Sequence, residues 1–230
     1  VGLFGKPTAV NNIETLVNVP GIVAGGGEAF AAVGTEGSTG SKLFCLSGAV
    51  ERPGVYELDF GATLGELLAL AGGVRGGAAL KAVLLGGAAG VFVGPDALDL
   101  PLTFEATRAA GATLGSGGVM VFDEGADLIG TILRIAAFFR DESCGQCVPC
   151  RIGTVRQEEL LARVVAGRPR GSLADELELL ADLGRGMRDA SICGLGQTAS
   201  AAIESAVRAG LVDFGTAASG GGSAAAEGAR

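Results

Sequence analysis

Histidine and tryptophan are both missing from this chain of 230 residues. Without imidazole there can be no Ser-His-Asp triad, no Cys-His protease pair, no histidine-ligated zinc or haem, and no proton shuttle titrating near neutrality. Catalysis, if any, must come through a cofactor. Long apolar runs are lacking too: no stretch approaches the roughly 20 residues that span a bilayer, and no charged-then-apolar leader opens the chain. Direct membrane insertion is therefore not expected, and a cytoplasmic location is. Positive charge is scarce, with 17 Lys and Arg against 25 Asp and Glu, a net charge of −8 and a pI near 4.6. Such a surface disfavours nucleic acid and anionic membranes as partners, and a docked protein or an anchored cofactor fits better. An initiator methionine is absent as well, so Val1 is read as an internal point of a longer protein.

Glycine, by contrast, is abundant, with 41 residues, many in runs such as "AGGVRGGAA", which predicts tight turns and irregular connections. The apolar fraction of 48% is ordinary and sufficient for a packed core. Residues 1–40 show no sustained period beyond a short helix in "GGGEAFAAV" and are expected to form a strap, not a domain. From residue 41 the pattern becomes β. "KLFCLSGAV" and "VYELDF" flank the turn "ERPG" as a hairpin. "ATLGELLALAGG" then reads as a helix with Thr63 as N-cap, Glu66 completing a capping box, and Gly72-Gly73 as terminator. "KAVLLGG" and "GGVMVFDE" are further strands, separated by a short helix in "PLTFEATRAAG". Residues 41–124 are thus an α+β unit of the β-grasp kind.

Beyond Asp123 the β signal stops. "ADLIGTILRIAAFFRDES" aligns Leu128, Ile132, Ile135 and Phe139 on one helical face. "TVRQEELLARVVAG", "SLADELELLADLGRGM" with Ser172 as N-cap, and "TASAAIESAVRAGL" complete a short helical bundle over 125–214. The Gly/Ala/Ser-rich residues 215–230 are expected to be disordered.

The five cysteines carry the chemistry. Cys144, Cys147 and Cys150 recur at a strict three-residue interval, a spacing that does not readily form disulfides, and an odd total would leave one thiol over. They sit where the first bundle helix gives way to the second, and Cys193 precedes the last helix. Loops two helices apart in an up-down bundle face the same end, so four thiolates should converge. A short run plus one remote cysteine suits a [4Fe-4S] cubane, whereas structural zinc more often uses two separated C-x-x-C pairs. Unligated buried thiols are a third reading. For a cubane carrying about −2 in its oxidised form, Arg151, with Arg156 and Arg140 nearby, would offset charge. Gly145 would let backbone N–H groups approach the sulfurs, and Pro149 would restrict the loop. Cys45, alone in a strand, is expected to be a small buried hydrophobe.

"GKPTAVNNIETLVNVP", "FFRDESCGQCVPCRIGT" and "SICGLGQTA" resemble, in order and spacing, the NADH-binding flavoprotein subunits of complex I and of NAD(P)-linked hydrogenases and formate dehydrogenases, with "CGLGQTA" closer to the hydrogenase and formate dehydrogenase branch. The resemblance covers roughly residues 1–212. It implies an FMN-bearing domain upstream, a β-grasp domain of the soluble-ligand-binding type, and a helical domain holding one [4Fe-4S] cluster on Cys144, Cys147, Cys150 and Cys193. It also implies that the 1–40 strap closes a flavin domain absent from this sequence, with Asn11, Asn12 and Thr15 at the FMN site and Gly194 and Leu195 facing it. The implied partners are the upstream flavin and NAD(P)H segment, a thioredoxin-like [2Fe-2S] subunit and further iron–sulfur or catalytic subunits. A complex I type would lie peripheral to the cytoplasmic membrane. The residues alone leave two functions open. One is the electron-relay portion of an NADH:acceptor oxidoreductase, inactive with NADH by itself because hydride chemistry belongs to nicotinamide and flavin. The other is a non-redox binding module with a structural metal.

Overall fold

A computed structural model of the chain describes residues 2–214; the tail expected to be disordered lies outside them. The chain begins with two helices, α1 (Ile13–Gly25) and α2 (Gly27–Ala31). Helix α1 was not expected in the strap. Asn12 caps it, its Oδ1 accepting the Glu14 N–H at 2.7 Å, but none of its residues is buried. Its apolar Ile13, Leu16, Val17 and Val23 stay exposed, and Pro20 lies inside the helix, a residue that argues against helix in a sequence reading. Glu14 anchors it to the sheet, accepting the Leu43 N–H at 2.7 Å and Lys42 Nζ at 3.4 Å.

The β-grasp unit follows. Strands β1 (Ser41–Gly48) and β2 (Gly54–Asp59) pair antiparallel from Ser41 opposite Asp59 to Leu46 opposite Gly54. Helix α3 (Leu64–Leu70) starts at the expected Thr63–Glu66 capping box. Strands β3 (Leu80–Leu85) and β4 (Val91–Val93), helix α4 (Phe104–Ala109) and strand β5 (Gly118–Asp123) complete it. The sheet order is β2-β1-β5-β3-β4, with β1 and β5 parallel and the other pairs antiparallel. One face packs Phe44, Leu46, Val83, Leu85, Val119 and Val121 against Leu64 and Leu67 of α3. Each of those two leucines is fully buried, worth about 2 kcal/mol apiece.

The helical part contains α5 (Leu128–Glu142), α6 (Val148–Val165), α7 (Leu173–Ala190), α8 (Gly194–Thr198) and α9 (Ala201–Arg208). Leu128, Ile132, Ile135 and Phe139 are buried on α5 as the periodicity predicted. Ser172 and Asp175 form a reciprocal capping box on α7. The second face of the sheet closes on this bundle: Ala82, Leu84, Phe92 and Phe122 share a core with α5, α6 and α9. Ser205 of α9 ties the two, accepting the Phe92 N–H at 2.8 Å.

Two boundaries and one burial differ from the sequence reading. Helix α6 begins at Val148, earlier than Thr154, because Cys147 takes the N-cap position and Pro149 is tolerated in the first turn. The last expected helix is two, α8 and α9, broken around Ser200. Cys45 is exposed, not buried. Phe44 and Leu46 point into the α3 core, and the two-residue period of a strand turns Cys45 to the opposite face. There it borders an apolar cavity of about 460 Å³ with Met120, Ile135 and Phe138.

Candidate iron–sulfur site

Two helix junctions build the site. The α5–α6 connection carries Cys144 and Cys147, with Cys150 in the first turn of α6, and the α7–α8 connection delivers Cys193 as the residue before α8. All four cysteines line one cavity of about 370 Å³, together with Ser143, Gly145, Gln146, Ile192 and Leu195. The convergence expected from helix parity is present. Cys150 is buried, Cys147 half-buried, and Cys144 and Cys193 exposed, so one side of the cavity faces the protein and the other faces outward.

Local chemistry fixes this shape. Gly145 has φ of +74°, a left-handed conformation that side chains resist, and it lets the chain turn between the first two cysteines. A methyl group added there would stand 3.8 Å from Arg151 Cδ, so the arginine stem lies across the ligand loop. Gly196 of α8 is packed directly on α6. A methyl group on it would run into Ser191 Oγ and lie 2.8 Å from Cys150 Cβ. Gln197 Nε2 donates to Ser191 O at 2.9 Å, which holds the α7–α8 turn closed.

The electrostatics favour thiolate. The Cys147 thiol titrates below its ordinary range, chiefly through the Ile192 N–H, helped by the Cys150 N–H and opposed by burial. The N-terminus of the 18-residue α6 also points its unpaired N–H groups toward Cys147. The Ser143 hydroxyl lies 3.3 Å from Cys150 Sγ.

The arginines divide. Arg151 is exposed and makes no ion pair among the described residues, which leaves it available to the site. Arg140 and Arg156 are not: Arg140 Nη1 holds Glu158 at 2.6 Å and Nε holds Asp141 at 2.9 Å, and Arg156 Nη1 holds Glu159 at 2.6 Å. The charge offset expected from those two is spent on neighbouring carboxylates.

The donor set fits a cluster. Four thiols, no other metal-binding side chain at the cavity wall except Glu142, and N–H and O–H groups facing the sulfurs match what an anionic iron–sulfur centre needs. A single zinc ion would draw its sulfurs to within about 4 Å of one another. Among the described residues no group of three or more His, Cys, Asp or Glu is arranged to hold one metal ion.

Of the residues assigned to the flavin by resemblance, Leu195 lines the cavity, while Asn11, Asn12 and Thr15 do not; Asn12 caps α1. Sequence reasoning passed over Ser143, Ser191 and Gly196. A hydroxyl immediately before the first cysteine and another two residues before the fourth were the available signal.

Comparison with known proteins agrees with this geometry. Residues 130–214 match the NADH-ubiquinone oxidoreductase-F iron-sulfur binding region, and residues 43–90 match the SLBB domain. The chain is thus similar to that family over an SLBB domain and an iron–sulfur binding region. The F subunit of the NADH-quinone oxidoreductase of Mycobacterium bovis (strain ATCC BAA-935 / AF2122/97) is 41% identical over 207 residues, 90% of this chain and 46% of that protein. Its counterpart in Rickettsia typhi (strain ATCC VR-144 / Wilmington) is 39% identical over 209 residues, covering 90% and 49%. The crystal structure of an NAD+-reducing [NiFe]-hydrogenase in the H2-reduced state superposes with a TM-score of 0.78 at 39% identity, over 90% of this chain and 34% of that one. The chain thus spans about half the length of the curated F subunits it matches. Its SLBB sheet and iron–sulfur region share one core through β3, β4, α5 and α9.

Proposed function

We propose that this chain is the electron-relay portion of an NAD(P)H-linked flavin and iron–sulfur oxidoreductase, working through one [4Fe-4S] cluster on Cys144, Cys147, Cys150 and Cys193. The observation that carries this reading is the convergence of four thiols from two separate helix junctions on one cavity. When bound, the cluster supplies one-electron chemistry. The protein's residues do the rest. Four thiolates ligate, the α6 N-terminus and backbone N–H groups disperse negative charge, and Arg151 covers the ligand loop. Leu195 and Ile192 put an apolar wall at the cavity.

Hydride acceptance is two-electron chemistry and belongs to FMN facing a nicotinamide. In this reading Asn11, Asn12, Thr15, Gly194 and Leu195 face the flavin, residues 1–40 strap its domain, 41–124 form the β-grasp unit and 125–214 hold the cluster. A thioredoxin-like [2Fe-2S] partner and further iron–sulfur subunits take the electrons onward, in the cytoplasm. No helix among the described residues is long and apolar enough to cross a membrane. A run of three cysteines plus one remote cysteine, in place of two separated C-x-x-C pairs, weighs against the alternative of a structural single-metal site.

Anaerobic reconstitution with iron and sulfide tests the proposal. The chain should become brown, hold about four irons, and show a one-electron EPR signal after dithionite, while failing to oxidise NADH unaided. Zinc uptake with no iron–sulfur absorbance, or steady NADH oxidation by this chain alone, would overturn it.

A further inference from the structure

Two serine hydroxyls flank the ligand set, one on each junction. Ser143 closes α5, and its Oγ stands 3.3 Å from Cys150 Sγ. Ser191 closes α7, is 6% exposed, and its Oγ has no hydrogen-bonding partner among the described residues. Burying an unpaired hydroxyl is unfavourable, so a residue in that position is anomalous unless something at the site accepts a hydrogen bond from it. Its surroundings identify the acceptor. Ser191 Oγ and Cys150 Cβ both lie against the same side of Gly196, and Ser191 stands two positions before Cys193, so its hydroxyl sits in the wall that carries the cysteines. Gln197 bonds the Ser191 carbonyl and leaves the hydroxyl free.

We propose that Ser143 and Ser191 are potential-setting residues, donating O–H···S hydrogen bonds to thiolates of the assembled cluster, Ser143 to Cys150 and the buried Ser191 hydroxyl to a ligand sulfur facing its junction. The inference rests on the cluster reading above and goes beyond it by assigning two residues that ligate nothing. The physical reason is charge. One-electron reduction adds a negative charge that is shared with the thiolate sulfurs, and a hydrogen bond to a sulfur strengthens as that sulfur grows more negative. Each hydroxyl therefore stabilises the reduced form more than the oxidised form and raises the potential. Cys150 is the buried ligand, the sulfur least able to take such a bond from water.

Redox titration of the reconstituted chain, followed by EPR, tests this. Ser143→Ala and Ser191→Ala should each hold a full complement of iron. At a fixed solution potential each should shift the reduced-to-oxidised ratio downward by about three- to tenfold; tenfold is 59 mV for a one-electron couple. Ser143→Thr, which keeps the hydroxyl, should restore the parent potential. That rescue separates hydrogen bonding from a merely structural role. An unchanged or raised potential in both alanine variants with full iron would overturn the proposal, as would a Ser143→Thr variant indistinguishable from Ser143→Ala. If Ser191→Ala takes up less iron, the Ser143 pair decides. A parent chain that takes up no iron refutes the cluster reading itself, a result distinct from iron-loaded variants with unshifted potentials.

Discussion

Gly196→Ala should displace the cluster, whereas Gly194→Ala, two positions earlier in the same short helix, should not. The added methyl at position 196 would collide with Ser191 Oγ and sit 2.7 Å from Ser191 Cβ and 2.8 Å from Cys150 Cβ. Ser191 can rotate its hydroxyl away, but Ser191 Cβ and Cys150 Cβ are fixed to their backbones, so α8 must back off by roughly 0.7–1.2 Å to reach ordinary contact. Overpacking of this kind costs about 1–3 kcal/mol. The better helix propensity of alanine returns up to about 1 kcal/mol, which leaves a net loss of about 1–2 kcal/mol. At a urea slope of about 1–3 kcal/mol/M, the midpoint should fall by roughly 0.5–1 M. The displacement falls on the turn that presents Cys193, so iron retention should drop with it. At Gly194 nothing lies within 4 Å of the new methyl, and both stability and iron content should match the parent. Iron per chain, visible absorbance and urea denaturation on the three proteins form the assay. Full iron and an unshifted midpoint in Gly196→Ala would refute the packing argument, as would equal losses in both variants.

Four further outcomes are expected. Glu176 is buried and accepts from Arg163 Nη2 at 2.7 Å, Arg163 Nε at 3.1 Å and the Arg170 N–H at 2.7 Å. Arg163→Met should destabilise the bundle by about 3 kcal/mol, the low end for stranding a buried charge because Arg163 keeps some solvent contact. These donors hold the Glu176 carboxyl below its ordinary value of 4.5. Its stabilisation is therefore complete above about pH 4.5 and is lost as pH falls through the lowered value, and Glu176→Gln should flatten that limb of a stability-versus-pH curve. Cys45→Ala should leave iron content and EPR unchanged, since Cys45 lies on the sheet by a separate cavity; loss of iron would contradict the four-ligand assignment. Arg151→Glu should lower the cluster potential by placing an anion over the ligand loop, and a rise on titration would contradict the position assigned to that side chain.

What could be read from the sequence followed from what each residue does in the fold. Helix α3 was legible because Thr63 and Glu66 announce its start and Leu64, Leu67 and Leu68 face one core. The convergence of the cysteines was legible because helix count fixes which junctions share an end. Cys45 was misread because "KLFCLSGAV" is apolar at nearly every position, so nothing within it says which face Phe44 and Leu46 take. The start of α6 was hidden because its first turn presents ligands and Arg151 to the site instead of an apolar stripe. The division of α8 from α9 left no mark in an alanine- and serine-rich stretch. Ser143 became visible only through its contact with Cys150 Sγ, and Ser191 only once burial showed a hydroxyl without a partner.

Dividing the ligands between two junctions has a consequence for how the protein matures. Three thiols arrive together on one local segment, whereas Cys193 reaches them only after α6 and α7 have folded back on each other. Metal uptake is thereby linked to folding, each stabilising the other by mass action. The chain entropy of bringing the last thiol home grows only with the logarithm of the intervening length. The weak point is therefore local and not topological. Fraying of the five-residue α8 releases one ligand without unfolding the bundle, which makes that turn the place where a mature centre would first come apart.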